Sequence, residues 1–140
     1  MLNRTFANGF WPVYDSGMRI WLFIAAVNGG LAVLCGAFAA HGLSGRLTPN
    51  ALGIFETGAR YHMYHALAIG LAALLPEGPG SRRAGTAAAL FLAGIVLFCG
   101  SLYLLALTGA RVLGFVTPFG GLAFVAGWLF LALAALRQAR

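Results

Sequence analysis

The sequence has no lysine, three acidic residues and two cysteines in 140 positions, and each scarcity removes a class of function. Asp15, Glu56 and Glu77 are far apart in the chain, so no pair of carboxylates stands ready for general acid and base work. Ser101 has no base within sequence reach, and the chain reads as non-enzymatic. Nine arginines bring the net charge to +6, yet they occur singly or as one pair, without a basic run or a binding motif, so nucleic acid is not an expected partner. Cys35 and Cys99 each sit inside an apolar stretch, where a thiol packs as a small hydrophobe and a structural disulfide is unusual. Only 9% of the residues are charged against 61% hydrophobic, too little polar surface to cover a water-soluble globule.

What is present is four hydrophobic stretches. The expected fold is all-α: an integral membrane four-helix bundle in one domain, 19–140, with spans at about 20–41, 56–75, 84–107 and 118–136. Residues 20–40 carry no charge and match a hydrocarbon core of about 30 Å at 1.5 Å per residue. Ala37-Phe38-Ala39 resembles a signal-peptidase site, but the apolar run is too long for a cleavable signal and is expected to be retained. Pro76, Gly78, Pro79 and Gly80 end the second helix, and Thr117-Pro118 supplies a cap and a first-turn proline for the fourth. The N-terminal 1–18, polar but holding Phe10, Trp11 and Tyr14, reads as an interfacial lead-in.

The second span is the informative one. From Met63 to Leu75 only His65 interrupts the apolar run, but this is too short to span, so the helix must reach back to Glu56. That places Arg60, His62 and His65 roughly 6, 9 and 14 Å below the outer boundary. Glu56 and Arg60, four apart, are expected to form an ion pair. Asn28 lies at the depth of His65 and is its expected hydrogen-bond partner across the helices. A candidate polar pocket in the outer half comprises His41, Arg60, Tyr64, His65 and Tyr103, with Asn28, Glu56 and Ser101 as structural polar groups. His62 and His65 with Cys99 form only a weak metal or haem alternative, since His41 lies too far along the depth axis to complete a three-histidine set. No cofactor is called for.

Ala87, Gly94, Ser101 and Thr108 recur every seven residues, Gly120, Ala123, Gly127 and Ala134 repeat the device, and Asn28, Ala32, Cys35 and Ala39 share a narrow face. Such stripes predict close, left-handed packing in antiparallel up-down-up-down order. Six arginines fall at the termini and second loop, against Arg46, Arg60 and Arg111 on the other side, so both termini are expected to be cytoplasmic. Membrane lipids are the expected surroundings, and a homo-oligomer or a larger membrane complex the expected association.

Four ordered motifs carry a family resemblance. Gly36-Ala37-Phe38-Ala39-Ala40-His41-Gly42-Leu43, Tyr61-His62-Met63-Tyr64-His65-Ala66-Leu67, Gly100-Ser101-Leu102-Tyr103 with Ala106-Leu107-Thr108-Gly109, and Thr117-Pro118-Phe119-Gly120-Gly121 through Ala126-Gly127-Trp128 resemble the YgdD/YwdK family of small four-span bacterial inner-membrane proteins, a domain of unknown function with a related eukaryotic transmembrane branch. The resemblance runs from about Arg19 to Leu136 and implies a multi-pass protein of the bacterial inner (plasma) membrane without an assigned activity. Its pattern often carries glutamine in place of His62, which points to His41 and His65 for the family's role. Two functions follow: a non-enzymatic accessory, assembly or scaffold subunit, or a binder or carrier of a small lipophilic molecule such as a quinone or lipid. A small multidrug antiporter fits less well, because no carboxylate lies deep in a span.

Overall fold

The structure is a computed structural model that describes residues 16–75 and 80–138. These residues are helical apart from short connections, with no strand among them. Helix α1 spans Ser16–Ala37 and runs on through a wide π-type turn at Phe38–Leu43. Helix α2 is Pro49–Ala73. A third rod comprises α3, Ser81–Gly94, a second π turn at Ile95–Cys99, and α4, Gly100–Thr108. A 3-10 turn at Arg111–Phe115 leads into α5, Thr117–Gln138. The stretches Gly17–Leu43, Ser81–Thr108 and Arg111–Arg137 are each long and apolar enough to cross a membrane; α2, with its charges and histidines, is not by composition.

The ends of α2 differ from the expected 56–75. The Thr48 hydroxyl accepts a hydrogen bond from the Ala51 N–H at 3.2 Å, and Pro49 fills the first helical position, where its missing N–H costs nothing. The helix therefore gains two turns upstream of Glu56. The first rod ends at Leu43 and the third at Thr108, slightly beyond the expected 41 and 107. The third rod stops at Gly109, whose φ of +70° suits a left-handed cap and whose N–H reaches the Leu105 carbonyl at 2.9 Å. Of the lead-in 1–18, only Ser16–Met18 are described and they begin α1; the remainder, and the Pro/Gly turn at 76–79, lie outside the described residues.

Three seams hold the rods. Gly70 faces Ala25, His62 meets Asn28, and Phe55 packs near Ala39 and Leu43, joining α2 to the first rod. His65 lies near Phe91, Tyr61 near Phe98 and Gly58 against Tyr103, joining α2 to the third rod. Gly80 abuts Ala134, Phe91 abuts Gly127, Phe98 abuts Gly120 and Ser101 meets Thr117, joining that rod to α5. Along every seam rising residue numbers on one helix meet falling numbers on the other. Helix α2 lies between the first and third rods and buries ten residues, the longest such set of any helix.

The core is built around Phe91, which is fully buried among Ile69, Ala72, Ala88, Ile95 and Phe124. Glycine permits the close approaches. A Cβ on Gly127 would lie 2.6 Å from the Phe91 ring, and one on Gly120 would collide with the backbone of Phe98. Gly29 on α1, by contrast, has nothing within 4 Å of where a Cβ would stand. Gly120→Ala is therefore expected to destabilise the fold by about 1–3 kcal/mol through forced backbone displacement, and Gly29→Ala to be neutral or stabilising by up to about 1 kcal/mol. Reversible unfolding of the two variants in detergent checks the pair.

Candidate functional site

Two of the polar side chains on α2 are buried, His62 and His65, each 5% exposed. They stand three residues apart, at neighbouring positions on the helix, yet the His62 ring turns toward α1 and α4 and the His65 ring toward α5. The His62 ring bridges two neighbours: Nε2 is 3.1 Å from Asn28 Oδ1 and Nδ1 is 3.2 Å from the Tyr103 hydroxyl. Asn28 Nδ2 donates to the Ile24 carbonyl at 2.8 Å, which turns its acceptor oxygen toward the imidazole. An amide oxygen only accepts, so Nε2 carries the proton and Nδ1 accepts from the Tyr103 O–H. His62 is thereby a neutral bridge linking α1, α2 and α4.

His65 has the opposite tautomer. Its Nδ1–H donates to the Tyr61 carbonyl at 2.8 Å, and its Nε2 accepts from Trp128 Nε1–H at 3.4 Å. The ring stacks on Phe124 with centroids 3.4 Å apart and planes 7° from parallel, and Phe91 lies 5.6 Å away on another side. Both nitrogens of both rings are occupied, and no buried side-chain nitrogen or oxygen among the described residues lacks a partner. Tyr61, Tyr64, His65, Phe98, Phe124 and Trp128 wall a groove of about 430 Å³ between α2, the second π turn and α5. A volume of that size suits a small ligand, and the walls offer aromatic faces with few polar atoms.

The sequence-derived pocket separates into parts. Tyr64 and His65 line the aromatic groove. Tyr103 belongs instead with His62, and Asn28, the expected partner of His65, also bonds His62, because that ring rather than its neighbour points into the α1 seam. Arg60 is exposed and its Nη2 donates to Thr57 Oγ1 at 3.3 Å in place of the expected bond to Glu56, which is itself exposed. His41 is exposed on the first π turn. Ser101 is buried; its hydroxyl reaches the Phe98 carbonyl at 2.9 Å and shares a 2.8 Å hydrogen bond with Thr117. Cys99 is buried in the core, and among the described residues no three of His, Cys, Asp or Glu come together, so His62, His65 and Cys99 do not form a metal site. Trp128, Phe124 and Tyr61 were not among the expected pocket residues, although Tyr61, Tyr64 and His65 recur at three- and four-residue spacing and Phe124 and Trp128 are four apart.

A family model described as Protein of unknown function (DUF423) matches residues 35–121, well over half of the chain. The chain belongs to this family. The match takes in α2 and the third rod, and thus His62, His65, Tyr103 and most of the groove, while Asn28, Phe124 and Trp128 lie outside it. The DUF423 chain is 45% identical over 123 residues to the UPF0382 membrane protein YwdK of Bacillus subtilis, covering 86% of this chain and 98% of that protein. It is 43% identical over 122 residues to a UPF0382 membrane protein of Staphylococcus epidermidis, covering 87% and 99%. A Staphylococcus aureus relative of the same description is 40% identical over the same shares. No solved structure matches.

The bridging geometry sets an expectation for stability. His62→Ala leaves the Asn28 oxygen and the Tyr103 hydroxyl without their shared partner and is expected to cost about 1–2 kcal/mol. In the Asn28→Ala background the same change is expected to cost less, with a coupling of about 0.5–1 kcal/mol. A double-mutant cycle on unfolding in detergent measures it; strictly additive losses would mean that the bridge contributes nothing.

Proposed function

We propose that this DUF423 chain crosses the bacterial plasma membrane four times, as an antiparallel up-down-up-down bundle with both termini in the cytoplasm, and serves there as a non-enzymatic accessory or assembly subunit. The opposed residue order along all three seams supports the alternation, and the membrane-protein naming of its relatives supports the setting. Helix α2 crosses by virtue of its neighbours: at 25 residues it is about 37 Å long, and its two histidines are satisfied against them. The observation that carries the functional reading is the completeness of that satisfaction. Both imidazoles are held neutral by fixed partners, so the interior is arranged for cohesion, and neither ring offers a free base to a cavity.

A second reading is favoured by one feature, the aromatic groove. Its rings and its position on the side of the bundle suit a small lipophilic molecule, a quinone or a lipid, entering from the bilayer.

Topology and role have separate tests. Reporter fusions at Gln138 and in the Ser44–Thr48 connection are expected to report opposite sides of the membrane, and alkaline washing without detergent is expected to leave the chain in the membrane. Reporters on the same side would overturn the four-crossing arrangement. For the role, purification of the full chain in mild detergent is expected to bring down a fixed partner or a homo-oligomer; a monomer carrying only a stoichiometric lipophile would overturn the accessory role and favour the second reading.

A further inference from the structure

Two clefts follow one another along one seam of α2. The upper, of about 320 Å³, is bounded by Asn50, Gly53, Ile54 and Thr57 on α2 and by Leu102 on α4. The lower is the aromatic groove of about 430 Å³, bounded by Tyr61, Tyr64 and His65 on α2 and reached from the third rod by Phe98. Ile54, Thr57, Tyr61 and His65 recur every three or four residues, and Phe98 and Leu102 are four apart, so both clefts have walls on α2 and the third rod, with α5 adding a further wall to the lower one. The lining changes along the seam. Above are the Asn50 amide and the Thr57 hydroxyl; below are aromatic rings.

Arg60 lines neither cleft, but it falls between their α2 residues in sequence and contacts the upper one through Thr57. It is exposed, and its described partner is the neutral Thr57 hydroxyl, so one of five guanidinium N–H groups is engaged. Glu56 is exposed and lines neither cleft. The described charges toward this end of the rods are Arg46, Arg60 and Arg111 against Glu56, a positive excess that complements an anion. From Asn50 to His65 the seam runs about 22 Å at 1.5 Å per residue, the depth of one leaflet with its headgroups. A positive, hydrogen-bonding upper end and an aromatic lower end, separated by that length, match an amphiphile.

We propose that this seam binds one anionic phospholipid, its phosphate held by Arg60, which Thr57 positions, and one acyl chain lying in the groove of Tyr61, Phe98, Phe124 and Trp128. The site rests on the second reading above and gives it a ligand class. Arginine is suited to the phosphate because its planar fork places two N–H donors against two oxygens. A lipid seated this way covers an arginine and an aromatic groove that face outward from the bundle, and it requires no change in the helices.

Native mass spectrometry of the full chain in mild detergent, with equal amounts of phosphatidylglycerol and phosphatidylcholine of the same acyl chains, tests the site. The expected result is phosphatidylglycerol retained about fivefold over phosphatidylcholine, with Arg60→Gln bringing the ratio near one and Arg60→Lys keeping most of it. Gly121→Leu, which places a side chain beside Phe98 in the lower groove, is expected to reduce both adducts; should that variant fail to fold, the Arg60 pair still decides. Equal retention of the two lipids, or a preference indifferent to Arg60→Gln, overturns the site, as does stripping of the phosphatidylglycerol adduct by millimolar inorganic phosphate, which would mark a free-anion site. Binding of a short-chain quinone without any phosphatidylglycerol preference overturns the phospholipid site while leaving the broader lipophile reading standing.

Discussion

The structure depends on the need of two imidazoles on one helix to be satisfied without carrying charge. His62 and His65 are buried, and a polar group deprived of water must find its partners within the protein. His62 finds them on α1 and α4, and His65 on its own backbone and on α5. Each imidazole is therefore a junction, and between them they reach all the rods. Helix α2, too polar by composition to qualify as a span, lies between the first and third rods, where its two histidines are covered.

That requirement explains the distribution of small residues. For Asn28, Tyr103 and Trp128 to come within hydrogen-bond reach of α2, the helix backbones must approach closely. Gly58 yields to Tyr103, while on the far seam Gly94, Gly120 and Gly127 admit Phe124, Phe98 and Phe91. The aromatic rings then fill the space between helices, and the glycines leave room for them. Packing and polar satisfaction are consequently one arrangement, and the groove at its side is bounded by the faces of those rings that the core leaves uncovered.

Much of the helical layout was legible in the sequence. Long uncharged runs at 20–40, 84–107 and 118–136 have few other solutions, and they coincide with the three helical stretches apolar enough to cross a membrane. The start of α2 had a signal in the sequence: Thr48-Pro49 is the same Thr-Pro pair as Thr117-Pro118, but it precedes a stretch too polar to draw attention as a span, and of the two threonines it is Thr48 whose hydroxyl accepts from a first-turn N–H, while Thr117 bonds Ser101. The π turns left no mark in the hydrophobic pattern, since one extra residue in a turn shifts a face without changing composition.

Sequence alone determined the composition of each helix and the approximate depth of its polar residues, because rise per residue and hydrophobic length fix position along an axis. It placed Asn28 near the level of His65, with His62 roughly 5 Å nearer the boundary. It did not determine which imidazole meets which neighbour. Side chains three apart share one broad helix face, and which neighbour each of them meets depends on the rotation of each helix about its own axis, which is set by the partners it packs against. Only the tertiary structure decided that Asn28 and Tyr103 belong to His62, that Trp128 belongs to His65, and that Arg60 and His41 are exposed.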